Sequence, residues 1–489
     1  MSDTVNTQPV QEGLQRNAIS STGVVFLVLA AASPLIGLTG AVPTAMVLGN
    51  GLGASAAYIV VGLILALFGV SYVAMSRQVT NTGALYAYVG RGLGLRMGLG
   101  AGSIAIWAYV TVQIAVYGFF GAVASGAVAE WFGVSVPWWA LTFGLMLLVQ
   151  VFGYLHVEVG AKLLGVLMAL EWGTIIVLSV VIFAKGGAGE GYAVGDVFSP
   201  SAVLSGAPGV ALVMAFASMF GFESTAIYGE EVRDPKRSIP RATFTALGAI
   251  TLFFAFNSWA LVVGYGPSKA IEVAGKTLES GNPAAYVFDA GGTYLGAWAP
   301  HAMTVFVITS MFACNLAFHN GIARYLWTLS RDGVLPAPLA KVHPKTKAPY
   351  IASFTQTAIA ALLVLPFAIL GKDPVLTLFF WGSGIAVVGV VTLYILVAVA
   401  AFVFFRNNPT LDGRAWNTKI APVLAAVAMS AALVLIIANF DVLIGSTGGL
   451  PTILALTVPT AFIVGLILFA ATESRIGATA LADLDSELT

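Results

Sequence analysis

The chain alternates long apolar runs with short polar stretches. Runs near 19–47, 51–75, 97–128, 137–156, 160–184, 208–230, 240–265, 298–328, 350–370, 375–405, 419–441 and 449–472 are each close to or above the roughly 20 residues that a helix needs to cross a bilayer. They predict an all-α integral membrane protein with twelve transmembrane helices. The short alternating strands of a membrane barrel are absent from the pattern. The polar stretches Ser76 to Arg96, Gly186 to Ala207, Pro267 to Ala297 and Arg331 to Pro349 read as loops with room for a surface helix.

Two runs break in the middle. Span 1 carries Ser33-Pro34-Leu35-Ile36-Gly37-Leu38-Thr39-Gly40, and span 6 carries Ser218-Met219-Phe220-Gly221-Phe222-Glu223-Ser224. Proline removes an amide donor and clashes with the preceding turn, and glycine relaxes the backbone, so both spans are expected to be discontinuous. Unpaired backbone at membrane depth survives only beside a cavity or a ligand. If spans 1–5 and 6–10 are two repeats, their odd span count gives them opposite orientation and makes each broken span the first of its repeat. That is the pattern of two inverted five-helix repeats seen in alternating-access transporters. The organisation is then a tail over 1–18, a core over 19–405, two extra C-terminal helices within 406–472 forming a candidate homodimer surface, and a tail over 473–489.

Composition agrees with the pattern: 58% of residues are hydrophobic and 9% charged, against roughly a quarter charged in soluble domains. Net charge is zero, and no basic stripe points to nucleic acid. The distribution of charge is more informative. With the N-terminus inside, only Lys185, Lys269, Lys276 and Lys372 of the 22 Lys and Arg residues fall outside. This bias places both termini in the cytoplasm, and the plasma membrane is the expected location. The first 18 residues lack the basic region of a cleavable signal and read as a cytosolic tail, leaving span 1 as an uncleaved insertion signal. Cys314 is the sole cysteine, and His156, His301, His319 and His343 lack metal-ligand spacing, so neither a disulfide nor a metal centre is expected, and no cofactor.

The breaks are where chemistry is expected. Amide donors near Ser33, Ile36, Gly37, Leu38 and Thr39 suit an anion at a half-helix N-terminus. Carbonyls near Ala217, Ser218 and Phe220 suit an ammonium group, and the two together suit a zwitterion. Phe216, Phe220 and Phe222 can bracket such a ligand, with Phe222 as a lid beside the flexible Gly221. Glu171 and Glu223 lie deep in spans 5 and 6, where a charge costs roughly 3 kcal/mol or more. Glu171 is therefore a candidate carrier of a coupling proton, and Glu223 a candidate link between occupancy and closure of the cytoplasmic side. A structural bond to freed backbone is the simpler role for each. Tyr109, Gln113 and Tyr117 recur at i, i+4 and i+8 and line a substrate path or join helices. The charged run Glu230, Glu231, Arg233, Asp234, Lys236, Arg237 and Arg241 is a solvated loop or a gate network.

Two motifs go further. Phe220-Gly221-Phe222-Glu223-Ser224 is followed by Glu231-Val232-Arg233-Asp234-Pro235-Lys236-Arg237-Ser238-Ile239-Pro240-Arg241, and Asn320 and Arg324 lead to Ser330-Arg331-Asp332-Gly333-Val334-Leu335-Pro336. With these the chain resembles, over essentially its whole length, the amino acid permease branch of the amino acid/polyamine/organocation superfamily. The resemblance implies substrate held between helices 1 and 6 and flanked by helices 3, 8 and 10, with its carboxylate at the helix 1 amides and its amino group at the helix 6 carbonyls. Many members carry a Gly-Ser-Gly-like triplet in helix 1 where this chain has Ile36-Gly37-Leu38-Thr39, which keeps amines open as substrates. At Glu171 some relatives carry a lysine that stands in for sodium. The expectation is thus proton-coupled import of amino acids, with sodium coupling, transport of polyamines or small amines, and a non-transporting nutrient sensor as alternatives.

Overall fold

The computed structural model describes residues 32–79, 85–155, 159–223 and 232–476, together with Gly23, Val25, Leu29 and Thr225; of 159–164 and 474–476 it describes the backbone alone. Most of residues 19–31, His156, the side chain of Lys162, Ser224, Glu230 and Glu231, and the two predicted tails apart from residues 473–476 lie outside that description.

Every long element is a helix. After an interruption at Ser33, α1 (Pro34–Ile36) continues through wider π-helical turns at Gly37–Ala41 and Ala45–Asn50, with Val42–Thr44 between them. Then come α2 (Ala54–Ser76), α3 (Leu85–Leu93), α4 (Leu95–Phe132), α5 (Trp138–Leu155), α6 (Val159–Ala184) and α7 (Pro208–Ser218). The second half holds α8 (Pro235–Tyr265), α9 (Ala270–Glu279), α10 (Ala285–Leu295), α11 (Trp298–Arg331) and α12 (Tyr350–Ile369). It ends with α13 (Phe380–Asn407), α14 (Ala421–Ala438) and α15 (Leu450–Ile476).

Ten elements among the described residues are long and apolar enough to cross a membrane, and α7 is a shorter apolar helix. The first of the ten, Pro34–Ser76, joins residues of predicted spans 1 and 2 across a kink at Gly49. The protein is a multi-pass membrane protein. Helices occupy parts of the predicted loops: α3 in the stretch after Ser76, two short ones at Val194–Phe198 and Pro200–Val203 in the stretch after Gly186, and α9 and α10 in the stretch after Pro267.

The 38 residues of α4 rise about 57 Å, well beyond a hydrocarbon core of about 30 Å, so this helix runs oblique to the bilayer or projects from it. Leu63, Leu252, Leu362 and Ile467 on the bundle's outer surface are exposed as lipid-facing residues should be, while Tyr58, Tyr72, Tyr117 and Tyr394 are buried. Helix contacts are close where glycine allows it. A Cβ on Gly382 of α13 would stand 2.6 Å from the Thr111 carbonyl of α4, so these two helices meet backbone to backbone.

Candidate functional site

Ser33 adopts the left-handed conformation (φ 38°), and Pro34, with no N–H, begins the helix beyond it. The amides behind that break are answered internally. Leu35 N–H donates to Glu171 Oε1 (2.9 Å), Ile36 N–H to the Ser33 carbonyl (2.9 Å), and Gly37 N–H is shared between the carbonyls of Ser33 (3.4 Å) and Pro34. The sequence led us to expect open amides around Gly37. The tight turn at Ser33 and the Glu171 carboxylate close them, Gly37 N–H being divided between two carbonyls.

The second interruption is the end of α7. Met219 N–H turns back to the Phe216 carbonyl (3.0 Å), and Gly221 takes φ 106°, a region open to glycine. The two breaks face one cavity of about 420 Å³ of empty space, its mouth included. Ser33, Ile36 and Gly37 line it from α1, and Ala217, Ser218 and Phe220 from the α7 end. Val112 and Val116 of α4, Cys314 and Phe318 of α11, and Phe379 and Ser383 at the start of α13 complete most of the wall.

Other residues singled out in the sequence surround the cavity without lining it. Thr39 Oγ1 donates to the Leu35 carbonyl (2.7 Å), answering backbone of the broken turn, and Leu38 is buried in the core. Glu171, 3% exposed, stands behind the α1 break, where its Oε1 also accepts from Ser310 Oγ (3.2 Å). Ser33 Oγ in turn donates to the Ser310 carbonyl (3.3 Å), so α1, α6 and α11 share one polar knot.

Glu223, 1% exposed, organises a second knot. Tyr109 Oη donates to its Oε1 (2.9 Å), and Tyr394 Oη (2.8 Å) and Gly221 N–H (3.1 Å) to its Oε2. Tyr72 Oη donates to its backbone carbonyl (2.6 Å). Phe222 is fully buried among Phe68, Tyr72 and Tyr394, at ring separations of 6.1, 6.2 and 5.6 Å. It therefore sits in a plug and not over the cavity. Along α4 the order is Tyr109, then the lining residues Val112 and Val116, then Phe119, which stacks on Phe379 at 4.9 Å. The Glu223 knot and this aromatic pair thus bound the cavity from opposite sides.

Phe216 is buried but outside the lining. Gln113 donates to the Asn315 carbonyl (3.0 Å) and accepts from Gln356, tying α4 to α11 and α12 away from the cavity. Tyr58, Cys314, Phe379 and Tyr394 were not singled out as site residues by sequence reasoning. Tyr394 carried a usable signal: eleven residues beyond Ser383, it falls on the same face of an otherwise apolar helix. Among the described residues, no group of acidic, His or Cys side chains is arranged to hold a metal ion.

A family model described as "Amino acid permease" matches residues 19–470. The chain is 26% identical over 229 residues to the branched-chain amino acid permease BcaP of Bacillus subtilis, covering 46% of this chain and 44% of that one. It is 25% identical over 312 residues to the low-affinity putrescine importer PlaP of Escherichia coli, covering 62% and 65%. An uncharacterized transporter of Mycobacterium bovis aligns over 408 residues at 26% identity, 76% of this chain and 78% of that protein. The chain thus spans less than half the length of the branched-chain permease and just under two thirds of the putrescine importer.

Proposed function

The chain belongs to the amino acid permease family, and on that premise we propose that it is a secondary active transporter that imports amino acids by alternating access, driven by protons. The observation that carries this reading is the cavity between the α1 interruption and the end of α7, walled by α4, α11 and α13. Twelve crossings follow if Pro34–Ser76 counts as two and α7 with the chain beyond it as one. Five crossings per repeat then give inverted halves. The charge asymmetry supports cytoplasmic termini, with Glu223 on the cytoplasmic side of the cavity, and the plasma membrane is the proposed location.

In this reading the substrate ammonium meets the carbonyls of Ala217 and Ser218, where the C-terminal end of α7 favours a cation. The carboxylate meets the Gly37 N–H, which is divided between two backbone carbonyls, beside Ser33 and Ile36, and Leu38 and Thr39 brace that turn. Phe220 packs on the substrate. Glu171 carries the coupling proton: as a carboxylate it holds Leu35 N–H and Ser310 Oγ at once, and neutralising it weakens both charge-assisted bonds between α1, α6 and α11. Glu223, clamped by Tyr109 and Tyr394, is the cytoplasmic latch; Gly221 is its hinge and Phe222 the plug it retains.

Uptake of labelled amino acids, putrescine and ethanolamine into liposomes holding the purified protein tests the assignment. Saturable amino acid uptake supports it, and no flux of any compound refutes it. Uptake of amines alone would establish the second reading, an amine importer, which the likeness to PlaP and the internally answered α1 amides favour.

A further inference from the structure

We infer that the substrate carries charge at one end only, its remainder being a compact, uncharged apolar group, so that diamines and amino acids with basic or acidic side chains are rejected. This rests on the reading of the cavity as the substrate site and narrows it to a chemical class.

Beyond the backbone of the two breaks, the wall is apolar. Val112 and Val116 face the cavity from α4, Phe318 from α11 and Phe379 from the start of α13. Its side-chain polarity is limited to the Ser33, Ser218 and Ser383 hydroxyls and the Cys314 thiol, and no charged residue belongs to the described lining.

Two carboxylates are near enough to matter, and neither belongs to the described lining. Glu171 lies behind Leu35 with its Oε1 shared by an amide and a hydroxyl. Glu223 has both oxygens bonded, by Tyr109 on one side and by Tyr394 and Gly221 on the other. Hydroxyls can orient a substrate but carry no countercharge. The helix end at Ser218 serves one ammonium and the Gly37 turn one carboxylate, and any further charge of either sign would be left against Val, Phe and Ala side chains. An unpaired charge at mid-membrane depth costs enough to weaken binding by about a hundredfold. Phe379 and Phe318 add size selection, because Phe379 stacks on the buried Phe119 and Phe318 packs on Tyr109 (5.8 Å), which leaves neither ring free to swing aside.

The test is competition in proteoliposomes, with labelled L-leucine and L-alanine as probes and L-valine, putrescine, L-lysine and L-glutamate as competitors, each probe and competitor also offered alone. Saturable uptake of the aliphatic probes, displaced by valine at similar concentration but not by putrescine, lysine or glutamate at less than about a hundredfold excess, is the expected result. Transport of putrescine, lysine or glutamate within tenfold of leucine would overturn the inference while leaving the transporter reading standing. Absence of flux for every compound would overturn both.

A gain of function probes the placement. Ser383→Asp puts a carboxylate in the wall and is expected to raise lysine or putrescine uptake relative to leucine by at least about tenfold. An unchanged ratio in a variant that still carries leucine would contradict the lining as described. Should that variant not fold, Val116→Phe is the substitute, expected to depress leucine uptake more than alanine; equal loss of both would overturn the size argument.

Discussion

Gly37→Ala is the smallest change that tests whether the two breaks close on one another as described. A methyl group at Gly37 would lie 2.5 and 2.6 Å from two ring carbons of Phe254 and 2.7 Å from Ser218 Oγ, too near for any of the three. None can retreat at little cost. Phe254 is fully buried, stacked on Tyr58 at 4.7 Å and 11°, and edge-on to Phe253 at 5.8 Å. Tyr58 Oη is itself bonded to Ser218 Oγ (3.3 Å), so displacing the ring loosens the end of α7 as well. Overpacking of this kind costs about 1–3 kcal/mol. Charged against the arrangement that holds substrate, that is roughly a 5- to 150-fold loss of apparent affinity. The assay is initial-rate uptake against substrate concentration in proteoliposomes, with thermal unfolding of the purified protein in parallel. Gly126→Ala is the control, because a methyl there meets nothing within 4 Å. Affinity for Gly37→Ala within twofold of wild type would refute the close approach of α1, α7 and α8.

Tyr109→Phe and Tyr394→Phe each remove one hydrogen bond to the Glu223 carboxylate, a loss of about 1.5–3 kcal/mol. Both are expected to speed hydrogen exchange at residues 219–223 and to raise passive leak of substrate, with a double variant that departs from additivity. Unaltered exchange in both would remove Glu223 from the latch. Outside the membrane, hydrogen bonds from Arg414 hold the Asp412 carboxyl well below its usual range. Their stabilisation is present above the unfolded value of about 3.9 and is lost as pH falls through the folded one. The Arg414 side chain is 59% exposed, so Arg414→Met is expected to cost less than about 1 kcal/mol. The gap in unfolding midpoint between it and wild type should stay constant from about pH 5 to 8 and shrink below about pH 4.

Much of the fold was legible because the signal is physical and long-range: a bilayer-length apolar run admits few alternatives to a helix. Span 8, for example, was read as 298–328 and is α11, Trp298–Arg331. The interruption at Ser33-Pro34 was legible for a local reason, since proline cannot donate and its neighbour must turn. What answers the broken backbone was not. That Glu171 takes Leu35 N–H depends on α6 packing beside α1, across 136 residues of chain. Phe222 shows the same limit. Its place beside Gly221 suggested a lid, but the buried aromatic neighbours on α2 and α13 draw it into a plug. Phe379 lines the cavity where α13 meets α4 near Gly382, a contact that one glycine in a long apolar run does not announce.

On the proposed reading, the cavity moves substrate across the membrane at the expense of a proton gradient, with Glu171 as the carrier. The most direct measurement is the accumulation of labelled L-leucine in proteoliposomes with an inward proton gradient, and again after collapsing that gradient, for wild type and Glu171→Gln, with sodium present or absent. Wild type is expected to concentrate leucine above the external level only while the proton gradient lasts and independently of sodium, and Glu171→Gln only to equilibrate it. Equal accumulation by Glu171→Gln, or by wild type after the gradient is collapsed, would contradict the account.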